Sequence, residues 1–124
     1  MGSKNEPGKF DCYANAGPDE PMFVLLGRDA TAPFVIFAWV AFRMQSGDIE
    51  DEKLAEAISC AAKMHDHAKK LGKDGALHDG ARALSELLDG DITPDEFGVF
   101  FEVARTDPGK IVEALRSSLF EGER

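Results

Sequence analysis

The stretch Pro18–Arg43, PDEPMFVLLGRDATAPFVIFAWVAFR, decides the fold. Its first half holds Met22–Leu26, an unbroken apolar run bounded by Pro21 and Gly27. A short run between such breakers reads as a strand buried on both faces. Its second half is apolar from Phe34 to Phe42, with Pro33 where a first helical turn has no use for an N–H, and Asp29 or Thr31 placed to cap it. The β-branched Val35, Ile36 and Val40 would also suit a strand. Pro33 and the length of the run favour a helix ending near Gly47. That helix has no polar face, so it sits at the centre of the protein or buries one side in a partner.

Outward from this unit, Phe10-Asp11-Cys12-Tyr13 alternates as a short strand does, and Asn15–Asp19 is a loop punctuated by Gly17-Pro18. The two apolar runs are expected to pair as an antiparallel hairpin, which must rest on helices because two strands alone are marginal. Beyond Gly47 the pattern is helical. Leu54, Ile58, Ala61, His65 and Ala68 recur along one face, with Asp48 as a cap. Leu77, Ala81, Leu84 and Leu88 mark the next helix, in which Gly80 is unfavourable. Thr93-Pro94-Asp95-Glu96 has the spacing of a capping box, and Thr106-Asp107-Pro108 starts the last helix. The expected fold is therefore α+β: a short antiparallel β-hairpin packed on a mainly helical body of about five helices. Residues 1–9 are expected to form a flexible tail and residues 10–124 a single domain, with sub-units at 10–71 and 76–119. Trp39, Phe34, Phe37, Phe42, Phe97, Phe100 and Phe101 are the expected core anchors.

Composition excludes more than it identifies. The chain has 124 residues, enough for one core without staples, and a formal net charge of −9. Residues 1–47 carry five acids and four bases, whereas residues 48–124 carry eighteen acids and ten bases. Such a surface repels phosphate backbones, so no direct nucleic-acid contact is expected, and it favours basic partners. The apolar run is too short to span a bilayer. The start, MGSKNEPGKF, lacks the apolar core of a secretion signal, and Glu6 breaks a myristoylation pattern. A cytoplasmic chain with Cys12 and Cys60 reduced is the expectation.

No motif specifies a reaction. His65-Asp66-His67 and His78-Asp79 form the sole histidine cluster, but residues i and i+2 of a helix face different ways, so neither a metal site nor a cofactor is expected. Cys60, mid-helix among alanines, reads as buried and inert rather than as a nucleophile. The acids form two groups: Asp48, Glu50, Asp51, Glu52 and Glu56, then Glu86, Asp89, Asp91, Asp95 and Glu96. Solvated helix ends account for both; the sharper reading is an acidic face for docking on a basic protein. Arg28 and Asp29, between the apolar run and the helix, read as a capping and salt-bridge device, or with Asp19 and Glu20 as one wall of a ligand pocket.

The segment PDEPMFVLLGRDATAPFVIFAWV, an acidic proline-flanked turn, an FVLL run, Arg-Asp, then Ala-Pro leading into a Trp-bearing helix, resembles one found in small uncharacterised proteins of bacteriophages and prophages. The resemblance covers about residues 10–71. It implies a mobile-element origin, residence in a bacterial cytoplasm and an accessory role, and it carries over no catalytic residue.

The functional expectation is a non-enzymatic accessory protein that occupies a host protein with a basic surface, as an antagonist of bacterial defence would. Its contact would use Asp48, Glu50, Asp51, Glu52, Glu86, Asp89, Asp91, Asp95 and Glu96. The alternatives are a small-molecule or nucleotide binder using Asp19, Glu20, Arg28 and Asp29, or a phage assembly component. A homodimer through the apolar helix 33–44 is compatible with each.

Overall fold

The computed structural model describes residues 1–47, 50–73, 76–87 and 93–119. Six helices are present among them: α1 (Cys12–Asn15), α2 (Ala32–Ser46), α3 (Asp51–Lys70), α4 (Ala76–Leu87), α5 (Pro94–Ala104) and α6 (Pro108–Leu119). No strand occurs among the described residues.

The helix boundaries follow from local chemistry. The Asp29 carboxylate accepts from the N–H and hydroxyl of Thr31, which precedes α2, and Pro33 lies in the first turn. Gly47, at φ 69°, ends α2 by turning its N–H back onto the carbonyls of Arg43 and Met44. That left-handed conformation costs a glycine little. α3 carries Asp51 and Glu52 in its first turn and Lys69 and Lys70 in its last, as the helix dipole favours. At α5 the capping box forms: the Thr93 hydroxyl accepts from the Glu96 N–H, and the Glu96 carboxylate accepts from the Thr93 N–H.

Four phenylalanines at the centre join α2 to α5. Phe34 and Phe37 meet Phe97 and Phe101 edge to face, with ring centroids between 5.4 and 5.9 Å apart. The rings keep helix backbones apart, whereas alanines let them approach. Ala57, Ala61 and Ala62 of α3 are fully buried beside Leu54 and Ile58, and α3 packs on α2, α5 and α6. α6 contributes Ile111, Val112 and Leu115, and α4 contributes Ala81 and Leu84.

The expected α+β fold is not the fold of this protein. The first proposed strand instead becomes a helical turn: Asp11 precedes Cys12–Asn15, and its side chain accepts from the Ala14 N–H at 3.2 Å. The backbone N–H of Phe10, which a hairpin ladder could have used, donates to Glu56 at 2.9 Å. Deprived of that partner, Met22–Leu26 forms no ladder and is not buried: Phe23 is 87% exposed and Val24 61%. The core is built by the five longer helices, without a contribution from Met22–Leu26. α2 is central, yet not wholly hidden. Phe34, Phe37, Val40 and Ala41 are buried and Trp39 packs partly on the core, while Val35 and Phe42 stay about half exposed. No helix of the described residues is long and apolar enough to cross a membrane.

Gly80 has a packing role that helix propensity conceals. A Cβ there would lie 2.5 Å from two ring carbons of Phe34, which is itself wedged against Phe97 and Phe101. Gly98, inside α5, has nothing within 4 Å of such an atom. We expect Gly98→Ala to stabilise the protein by about 0.5–1 kcal/mol. Gly80→Ala should destabilise it by about 1–2 kcal/mol, because overpacking outweighs the gain in propensity. Urea unfolding of the two variants beside the parent checks both signs.

Candidate functional site

Much of the acidic group at the start of α3 is engaged within the molecule. Asp51 accepts from the Arg116 guanidinium of α6, at 2.7 Å for the shorter bond. Glu52 receives the Lys9 ammonium on both oxygens at 2.9 Å. Glu56 accepts from the backbone N–H groups of Lys9 and Phe10 and lies 3.7 Å from the amino-terminal ammonium. These carboxylates fasten the amino-terminal residues and α6 to α3. The Lys9 ammonium, held by the Glu52 carboxylate, has its pKa raised. Glu50 stands exposed before the first turn of α3. Asp48 lies outside the described residues.

The second acidic group is partly in view. Glu86 is exposed on α4, and Asp89 and Asp91 lie outside the described residues. Asp95 and Glu96 stand in the first turn of α5, both exposed. With Val99 and Phe100 of the next turn they line a shallow, open hollow of about 220 Å³. Val99 is 56% exposed, and Phe100, half-buried, stacks on Phe37 at 6.4 Å, so the hollow has an apolar floor backed by the core. One oxygen of Glu96 serves the cap, accepting from the N–H and hydroxyl of Thr93. The other oxygen has no such partner within the cap. The surface that lines the hollow is apolar, so it offers contact to carbon, with the two acids at the adjacent, exposed start of α5.

Three of the four residues of the alternative pocket, Glu20, Arg28 and Asp29, make separate local contacts. Glu20 turns back to accept from the Gly17 N–H at 2.9 Å. Asp29 is held on Thr31, and those hydrogen bonds, first from the hydroxyl and then from the backbone, keep its carboxyl below the usual range. The Arg28 carbonyl accepts from the Lys73 ammonium at 2.8 Å. Arg28 and Asp29 thus secure the entry into α2, and Asp19 is exposed in the preceding turn.

His65 stacks on Phe101 with centroids 4.3 Å apart, in line with its place on the apolar face of α3. The side chain of His78 lies outside the described residues. Among the described residues no three His, Cys, Asp or Glu side chains come together to hold a metal ion. Both cysteines are free thiols. Cys12 is exposed, and burial pushes the Cys60 thiol above its ordinary pKa, which disfavours the thiolate.

The pairing that sequence reasoning missed is Asp66 with Arg105. The carboxylate accepts from Nε at 2.8 Å and from a terminal nitrogen at 2.5 Å, a two-pronged bridge from α3 to the end of α5. Helical spacing offers Lys70, one turn on, as the partner of Asp66, and no sequence signal connects positions 66 and 105. The Arg105 hydrogen bond holds the Asp66 carboxyl below the usual range, and the guanidinium is correspondingly raised.

Because the Asp66 pKa is depressed by folding, the bridge stabilises the protein at pH values above the unfolded carboxyl pKa and stops doing so as the pH falls through the folded value. Both side chains are at least a third exposed, so solvent screening limits the contribution to about 0.5–1 kcal/mol. Asp66→Asn is expected to unfold at a lower temperature than the parent at neutral pH, with the gap closing in strong acid. Melting curves across that pH range check this, and a constant gap would mean that the carboxylate's charge is not what matters.

No protein-family model, curated protein or solved structure matches the chain.

Proposed function

We propose that this chain is a non-enzymatic binding protein, a phage or prophage accessory protein that acts in the cytoplasm of a bacterial host by occupying a basic surface of a host protein. The observation that carries the reading is the hollow on α5, where Asp95 and Glu96 rim an apolar floor of Val99 and Phe100. Carboxylates beside exposed apolar area give a contact both its charge complementarity and its desolvated centre. The net charge of −9 adds long-range attraction toward a basic partner. Exposed Glu50 and Glu86 extend the negative surface, whereas Asp51, Glu52 and Glu56 serve mainly to hold the chain together. The resemblance of the Pro18–Val40 segment to phage and prophage proteins supports the setting. Blocking a host factor would require binding alone.

The test is affinity capture from a bacterial host lysate, using the parent chain, Asp95→Lys, Val99→Asp and the control Glu6→Lys. Asp95 and Val99 are exposed, so both substitutions should leave the helical circular dichroism unchanged. Recovery of the partner by Asp95→Lys and Val99→Asp is expected to fall about tenfold, equivalent to roughly 1.4 kcal/mol each. Glu6→Lys makes the same change in net charge as Asp95→Lys, away from α5, and should recover the partner as the parent does. Equal recovery by all four proteins would refute the hollow as the contact.

A further inference from the structure

We propose that the exposed Met22–Leu26 run and the basic end of α3 form one face, and that this face seats on the surface of an anionic lipid bilayer. The second half of α3 differs in charge from the rest of the chain. From Ala57 to Lys73 the one acid is Asp66, and it is bound to Arg105. Lys63, His67 and Lys70 recur at i, i+4 and i+7 and so share a side of the helix, with Leu71 one turn after His67. All four are exposed, Leu71 by 52%. The apolar run ends against this side. A Cβ at Gly27 would lie 3.4 Å from the His67 ring, and the Lys73 ammonium donates to the Arg28 carbonyl at 2.8 Å. Arg28, two residues after Leu26, thereby joins the same basic group. Among the described residues Arg28, Lys63, Lys69 and Lys70 form no ion pair. The acids nearest the run are occupied locally: Glu20 accepts from the Gly17 N–H, and Asp29 accepts from Thr31.

Two observations choose a bilayer over the surface of another protein. The first is exposure on both sides of the run. Glu20 to Leu26 shows no turn or bend, and side chains of an extended segment alternate between its two sides. Met22 and Val24 lie on one side and Phe23 on the other, yet they are 52%, 61% and 87% exposed. A rigid protein surface covers one side of such a segment and leaves the other in water, whereas a fluid interface surrounds both. The second is the order of apolar and basic groups. No charged residue interrupts Pro21 to Gly27, and the bases stand beside its end. Apolar side chains can therefore enter the acyl boundary while the ammonium and guanidinium groups stay level with the phosphates. The contact remains at headgroup depth, where water still reaches the backbone of the run. The net charge of −9 does not forbid it, because charges are screened over about 8 Å at physiological ionic strength and a bilayer touching this face meets the bases first. No helix of the described residues is long and apolar enough to cross a membrane, and one short run gives a peripheral, reversible contact.

The test is cosedimentation of the full chain with vesicles of equal parts phosphatidylglycerol and phosphatidylcholine, and with vesicles of phosphatidylcholine alone. The parent should bind the anionic vesicles about tenfold more strongly than the neutral ones, and less strongly as salt rises. Phe23→Ser and Lys70→Glu alter exposed side chains, so both should keep the helical circular dichroism. Each should weaken binding to the anionic vesicles about tenfold. Lys4→Glu makes the same change in net charge as Lys70→Glu, in the segment fastened to the start of α3, and should bind within about twofold of the parent. A parent that does not sediment with the anionic vesicles would overturn the proposal. So would equal binding to both kinds of vesicle, or equal losses from Lys4→Glu and Lys70→Glu with none from Phe23→Ser, which would reduce the effect to total charge. A chain that ignores the vesicles but binds a single-stranded oligonucleotide would assign the bases to a soluble polyanion and overturn it likewise. The inference is independent of the α5 hollow, and the vesicle result leaves the host-capture reading untouched.

Discussion

The structure depends on two pairs of phenylalanines that interlock across the middle of the chain. Phe34 and Phe37 come from α2, and Phe97 and Phe101 from α5, all at most 5% exposed. Their edge-to-face contacts join elements about sixty residues apart in sequence, so the ordering cost of closing that loop must be met by the rings and the surfaces they bury. Their size sets the surroundings. α4 reaches Phe34 through a glycine because the ring leaves no room for a methyl group. α3 lines its inner face with alanines and so brings α2 and α6 close, while His65 lies flat on Phe101. Removing one ring would leave the two rings that face it without the atoms against which they rest.

Charge is spent on assembly before it is available for binding. Glu56 takes two backbone N–H groups from the amino-terminal segment and approaches the terminal ammonium, Glu52 takes Lys9, Asp51 takes Arg116, and Asp66 takes Arg105. These contacts tie the amino terminus, α5 and α6 to α3. The acids at the start of α5 are different: one completes a cap, the other points outward, and both border exposed apolar carbon. A strong acidic excess can therefore coexist with few acids free to meet a partner, and position within the fold separates the two kinds.

Local signals in the sequence carried the helices well. Thr93-Pro94-Asp95-Glu96 forms the capping box its spacing implied, Gly47 ends α2, and the face of Leu54, Ile58 and Ala61 is buried. These features depend on neighbours within one or two turns. The hairpin failed because a strand is defined by a partner elsewhere in the chain. Asp11 closed a helical turn, Glu56 took the N–H of Phe10, and the apolar Met22–Leu26 run was left facing water although its composition signalled burial. The Asp66–Arg105 bridge was invisible for the same reason. At the candidate site, Asp95 and Glu96 were legible as acids at a helix start, but the hollow they share with Val99 and Phe100 emerges only when Phe37 supports Phe100 from beneath. Asp48, Asp89 and Asp91 lie outside the described residues.

The ring interlock predicts that α2 and α5 unfold as parts of one cooperative unit. Native-state hydrogen exchange on Phe97→Leu tests this most directly. If the interlock is what holds the fold, the amides of α2, α3 and α5 lose protection together and by the same free energy. Loss confined to α5 and α6, with α2 and α3 exchanging as in the parent, would show that the two halves stand independently and would contradict it.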